Sequence, residues 1–225
     1  MRSTTKLLIV AALAFLSGPQ QARTQIMLDI ANASFEDPVL SSGQYTNVVI
    51  GWTGSFLGTQ NVADQGWFSS LPAGNNVAIL DYNLTISQTL TNNLSEGDYT
   101  LSAYVGQSQF INFPRTFALQ LIAGSTLLAE TTALAPVGSL NLFTVNYSAA
   151  FDDLNLGQAL TVRLAASIEG ADYSTYNSTA LDGVSLGYTA VPEPSVAALV
   201  LATGGLWAGV VGLRSLRRGR TGGRS

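Results

Sequence analysis

The sequence predicts an all-β body, a two-sheet β-sandwich or jelly roll, and three observations predict it. Runs rich in β-branched and aromatic residues recur along the middle of the chain. Clusters of Gly, Asn, Asp, Ser and Pro, such as 71–76 and 92–98, separate them, and no stretch of the body sustains a helical period. Eight or more short strands with polar turns bury their apolar faces best when two sheets close on each other. A chain of 225 residues suffices for one substantial core.

The strands follow in order. YTNVVIGW (45–52) combines two valines and an isoleucine with flanking aromatics, and NVAILD (76–81) is a short apolar run bounded by polar residues. LTISQTL (84–90) alternates. DYTLSAYVG (98–106) alternates further, with Tyr99, Leu101, Ala103 and Val105 on one face and Thr100, Ser102 and Tyr104 on the other. TFALQLIAG (116–124), LNLFTVNYSA (140–149), QALTVRLAAS (158–167) and TALDGVSLGY (179–188) complete the set. Trp52, at the end of an apolar run, is expected in the core.

The two ends read differently from the body. Arg2 and Lys6, the apolar run 7–16 and the small residues Ser17 and Gly18 have the tripartite shape of a secretory signal peptide, assigned to 1–25 with cleavage between Gly18 and Gln25. Residues 195–213 are nineteen positions without a charge. As a helix they reach about 28 Å, close to the roughly 30 Å hydrocarbon core of a bilayer. Arg214, Arg217, Arg218 and Arg220 follow at once, which places that end in the cytoplasm and the body outside. The expected organisation is therefore a signal peptide, one β-sandwich domain over 26–189, and a tail over 190–225 with a transmembrane helix at 195–213 and a basic end at 214–225.

Composition excludes several functions. The chain has no cysteine and no histidine, which removes disulfides, thiolate chemistry, Ser-His-Asp catalysis and histidine-ligated zinc. Within 24–190 thirteen acids face two arginines, Arg115 and Arg163, a net charge of −11. Such a body repels a phosphate backbone, so nucleic acid is not an expected partner. No motif for a nucleophile, a phosphate loop or a metal centre appears, and Asp152 and Asp153 would point to opposite faces of a strand. The body is accordingly expected to be non-enzymatic.

Two resemblances sharpen these expectations. Pro192, Glu193 and Pro194, then the apolar span, then the arginine cluster resemble the PEP-CTERM sorting tail of exported bacterial proteins. That resemblance implies processing by an exosortase-type enzyme, transient anchoring in the inner membrane, and a destination in the cell envelope or outside the cell, often beside exopolysaccharide. NASFEDP (32–38), IGW (50–52) and ALDGVSL (180–186) resemble the first and last strands of galactose-binding-like jelly-roll domains. This second resemblance implies a structural calcium ion (Ca2+) held by Glu36 and Asp182, with carbonyl oxygens near Asn32 or Ser34. Gly183 departs from the family, which more often has a polar residue there. The implied function is a non-enzymatic surface or matrix protein. The alternative is a carbohydrate-binding module that grips a polysaccharide through loop aromatics, Trp67, Tyr173 and Tyr176 foremost.

Overall fold

The computed structural model describes residues 23–56, 58–81, 83–110, 115–167 and 178–191. Among these residues twelve strands are formed: β1 (Gln25–Leu28), β2 (Tyr45–Thr46), β3 (Thr53–Ser55), β4 (Gly58–Asn61), β5 (Asn76–Leu80), β6 (Thr85–Asn93), β7 (Gly97–Gln107), β8 (Thr116–Ala123), β9 (Thr126–Leu134), β10 (Leu140–Ala149), β11 (Ala159–Ser167) and β12 (Thr179–Ala190). They make two sheets, as expected from the sequence. The larger runs β10-β7-β12-β5-β4-β2 with β1 also on β12, and the smaller runs β3-β6-β11-β8-β9. The pairings within both sheets are antiparallel.

The core lies between the sheets because each strand turns alternate residues inward. β8 contributes Phe117, Leu119 and Leu121, and β11 contributes Leu160, Val162 and Leu164. Facing them, β7 sends in Tyr99, Leu101, Ala103 and Val105, the face that its alternation predicts. Each such leucine or phenylalanine, buried to 0–1% exposure, contributes about 1.5–3 kcal/mol relative to an exposed one. Trp52 is in this core at 7% exposure, its ring 5.4 Å from that of Phe35.

The expected strand at 45–52 shrinks to Tyr45–Thr46. Its second half is a turn in which Trp52 N–H donates to Val49 O at 3.2 Å and Gly51 takes φ +83°. The Asn32 side chain holds that turn by donating to Ile50 O at 3.0 Å. β1, β3, β4 and β9 are strands that the pattern alone does not announce. β9 is an edge strand with mixed, largely exposed residues, so it lacks the apolar alternation that marks a half-buried strand. Among the described residues no helix is long and apolar enough to cross a membrane. The expected signal peptide and the span at 195–213 lie outside the described residues.

Candidate functional site

Functional side chains collect on the face of the larger sheet turned away from the core. The register sets Leu142 of β10, Tyr104 of β7 and Asp182 of β12 in one row. Leu140, Gly106, Ala180 and Ile79 make the next row. On the other side a row of hydroxyls, Thr144, Ser102 and Ser185, begins a polar region. Residues 62–75, between β4 and β5, fold over the apolar end, where Val62, Val77, Ile79 and Ala180 form a second cluster packed by Trp67, Phe68, Leu71 and Leu140. The cover is tied down by its backbone: Ser69 N–H donates to Gly138 O at 3.0 Å, and Gln109 N–H to Trp67 O at 3.0 Å. What remains is a surface lined by Tyr104, half-buried Trp67 and Leu142, the last 53% exposed, with one carboxyl beneath it.

That carboxyl belongs to Asp182, and a bulge in β12 places it. The register of β12 on β7 shifts between Asp182 and Ser185, and Gly183 in the gap takes φ +53°, the geometry of a glycine β-bulge. The extra residue resets the alternation, so Leu181 and Val184 both enter the core while Asp182 faces the covered side. A Cβ at Gly183 would sit 3.0 Å from the Tyr104 ring, so the glycine also allows that ring to lie against the bulge. Asp182 is 0% exposed. Its Oδ1 accepts from Gly183 N–H at 2.7 Å and its Oδ2 from Ala73 N–H at 3.2 Å.

Two neutral N–H donors do not offset the loss of water around the charged form, and burial pushes this carboxyl up from an ordinary 3.8 to about 7. The nearby Glu36 adds to the rise by like-charge repulsion. Glu36 reaches the same turn from the other side, its Oε1 accepting from Asn75 N–H at 2.9 Å and Asn76 N–H at 2.7 Å. It is aimed there by an unusual backbone. Asn32 and Phe35 have φ +49° and +60°, Phe35 is buried at 0% exposure, and the Gln88 amide clamps Ala31 through Oε1 and Nε2 at 2.8 and 2.9 Å. Gly74, at φ +70°, is the residue the turn requires, since a Cβ there would lie 2.3 Å from the Glu36 carboxyl carbon.

The two acids expected to bind calcium are thus brought to one turn. Two acids by themselves would leave most of a calcium shell to carbonyl oxygens and water. Glu36 Oε1 and both Asp182 oxygens already accept backbone N–H bonds, calcium takes six to eight oxygens, and among the described residues no group of three or more acids could hold a metal. Trp67, expected to stack on a sugar, lies in the cover with its ring 6.5 Å from that of Phe68. Tyr173, Tyr176, Pro192, Glu193, Pro194 and Arg214, Arg217, Arg218 and Arg220 lie outside the described residues. Asp153 accepts from Tyr147 O–H and from Asn155 N–H at 2.8 Å, which fixes a loop and makes no pair with Asp152. Sequence reasoning placed Tyr104 on this face but did not single it out. The available signal was the glycine after an acid inside an alternating run, a mark of a bulge that re-aims a side chain.

The profile of the HpiC1-like family, described as HpiC1 cyclase, matches residues 26–187. The chain belongs to the HpiC1-like cyclase family. Solved cyclases share its fold. The Stig cyclase Fisc from Fischerella sp. TAU, in complex with (3Z)-3-(1-methyl-2-pyrrolidinylidene)-3H-indole, is 23% identical with a TM-score of 0.65, the match covering 75% of this chain and 100% of that one. A cyclase of the same source in complex with 4-(1H-indol-3-yl)butan-2-one is 23% identical with a TM-score of 0.62, covering 74% and 100%. An apo cyclase from Fischerella sp. is 22% identical with a TM-score of 0.64, covering 75% and 98%. No curated protein matches the sequence.

Membership of the HpiC1-like family corrects four expectations. The PEP-CTERM resemblance is not the family shown; the HpiC1-like match takes in the sandwich itself. A cyclase family points to an enzyme, so the non-enzymatic surface or matrix role, and with it the exopolysaccharide association, is overturned. The carbohydrate-binding alternative falls for the same reason. An exosortase-type enzyme, the membrane and a polysaccharide are thereby overturned as the expected partners. The physical cause of the error is that the short motifs at the strand ends, such as NASFEDP and ALDGVSL, encode a bulge, a turn and a core contact. Those features build many jelly rolls whatever the outer face does.

Proposed function

We propose that this protein is a cyclase that uses Asp182 as its proton donor and accepts a small, aromatic, unsaturated substrate, an indole derivative like those bound to the Fischerella cyclases. The observation that carries the reading is a fully buried carboxyl with a pKa of about 7, set beneath an aromatic-lined surface. A group of this pKa is partly protonated at neutral pH and serves as both acid and base in one cycle. Residues 62–75 over Asp182 form no strand ladder and are tied by separate hydrogen bonds, the 3.2 Å Ala73 bond to Asp182 being longer than those at Ser69, Trp67 and Asn75, so substrate entry opens the cover at that point.

The substrate's ring lies against Tyr104 and Trp67, with Leu142 closing one side. The Asp182 O–H bond breaks as its proton passes to the substrate, and a π bond of the side chain closes a carbon–carbon bond onto the resulting cation. A ring proton then returns to the carboxylate. The product is an isomer of the substrate, and the charge that appears in between lies over aromatic faces, which stabilise it.

A 3-alkenylindole supplied to the full chain tests this. Formation of a cyclic isomer of unchanged mass is expected, with kcat falling about 10²–10⁴-fold in Asp182→Asn and KM rising about tenfold in Trp67→Ala. Isomer formation that survives Asp182→Asn refutes the assignment. Calcium at Glu36 and Asp182 is the competing reading of the same acids. It predicts a melting point lowered by chelator and no titration near pH 7, because the ion would hold Asp182 ionised. We extend the proposal to export of the 26–189 domain behind a leader at 1–25, supported by the charge and hydropathy pattern of that leader. N-terminal sequencing of the mature protein, expected to begin between Gly18 and Gln25, checks it.

A further inference from the structure

A second group of polar side chains lies far from solvent, at the end of the sandwich where β7, β8 and β12 meet. Gln107 and Thr179 are paired across β7 and β12 and continue the inward faces of Val105 and Leu181. Both are 0% exposed. Arg115, just before β8, is 5% exposed, and its backbone is locked: its N–H donates to Gln107 Oε1 at 3.1 Å and its carbonyl accepts from Ala135 N–H at 2.7 Å. Four buried polar atoms here, Arg115 Nε and Nη1, Gln107 Nε2 and Thr179 Oγ1, have no hydrogen-bond partner among the described residues.

Buried donors are rarely left unsatisfied, and a buried guanidinium with unmet N–H groups is the most costly case. Burial lowers the Arg115 pKa, and the Asp81 charge opposes this. The Gln107 amide is the hub of the group. Its Oε1 is committed to Arg115 N–H, and its Nε2, on the strand position paired with Thr179, is left without a partner among the described residues.

From this geometry we infer a second binding site, internal to the sandwich and separate from the Asp182 surface, for a small organic carboxylate. A carboxylate is planar, accepts hydrogen bonds only, and carries the single negative charge that one guanidinium matches. A dianion would exceed that charge. The site does not depend on the cyclase reading, because no residue is shared.

Formate is the probe. At constant ionic strength, sodium formate in place of sodium chloride raises the melting point of the full chain by about 4 °C at ten times the dissociation constant. The Arg115 Nε–H resonance, assigned through Arg115→Lys, moves along the same titration curve. Thr179→Val keeps the shape of the side chain, removes one contact, and weakens formate about tenfold; it serves where Arg115→Lys fails to fold. Melting that is indifferent to formate, together with an Arg115 resonance that does not move, overturns the proposal. An Arg115 resonance that shifts in Glu169→Gln or Asp172→Asn but not with formate shows the chain's own acid on these donors and overturns it equally.

Discussion

Replacing Asp182 by asparagine should remove the largest pH dependence of this protein's stability. The carboxyl rises from 3.8 in the unfolded chain to about 7 in the fold. Its raised value means that the folded state holds the proton over a range where the unfolded state has released it. The contribution is therefore fully present below pH 3.8, declines as pH rises, and is gone once pH has passed about 7. About three units correspond to about 4 kcal/mol, and full burial of the side chain spares this figure the usual solvent discount. The substituted asparagine cannot titrate. Its amide N–H₂ meets one of the two N–H groups that Asp182 accepts, which costs about 1–2 kcal/mol at every pH. Urea unfolding of both proteins at pH 4, 5.5, 7 and 8.5 separates the two effects: wild type loses about 4 kcal/mol more than the variant between the extremes. Parallel pH profiles would refute the argument that burial holds this proton.

Other perturbations follow from the same geometry. Gly183→Ala sets a Cβ 3.0 Å from the Tyr104 ring at φ +53° and should destabilise the fold by about 1–2 kcal/mol, read by denaturant midpoint, with a loss of substrate affinity as Tyr104 shifts. Leu164→Ala, at 1% exposure in the core, should cost about 2–5 kcal/mol and lower the melting point accordingly. Tyr147 is pushed up to about 12 by burial and by its bond to Asp153, and burial raises Tyr99 as well, so a spectrophotometric titration should show late-ionising tyrosines, with the component near 12 absent in Tyr147→Phe. The same substitution should return Asp153 toward the ordinary carboxylate range, since the Tyr147 hydroxyl is the main cause of its lowered pKa.

Alternation and turn chemistry alone determined the fold class, seven of the strands and the inward face of β7, because a half-buried strand must repeat every two residues. Composition alone excluded histidine and cysteine chemistry. Edge strands such as Thr126–Leu134 escaped because they bury too little to carry the pattern, and the run at 45–52 became a turn because the Asn32 side chain and Gly51 hold it as one. Asp182 and Glu36 were legible as acids near the ends of the domain. Only the tertiary structure decided what Asp182 can do, because its pKa comes from the cover of residues 62–75 and from Glu36, partners more than a hundred residues away in sequence. A charge responds to the water removed around it, and that removal is a property of packing between distant segments.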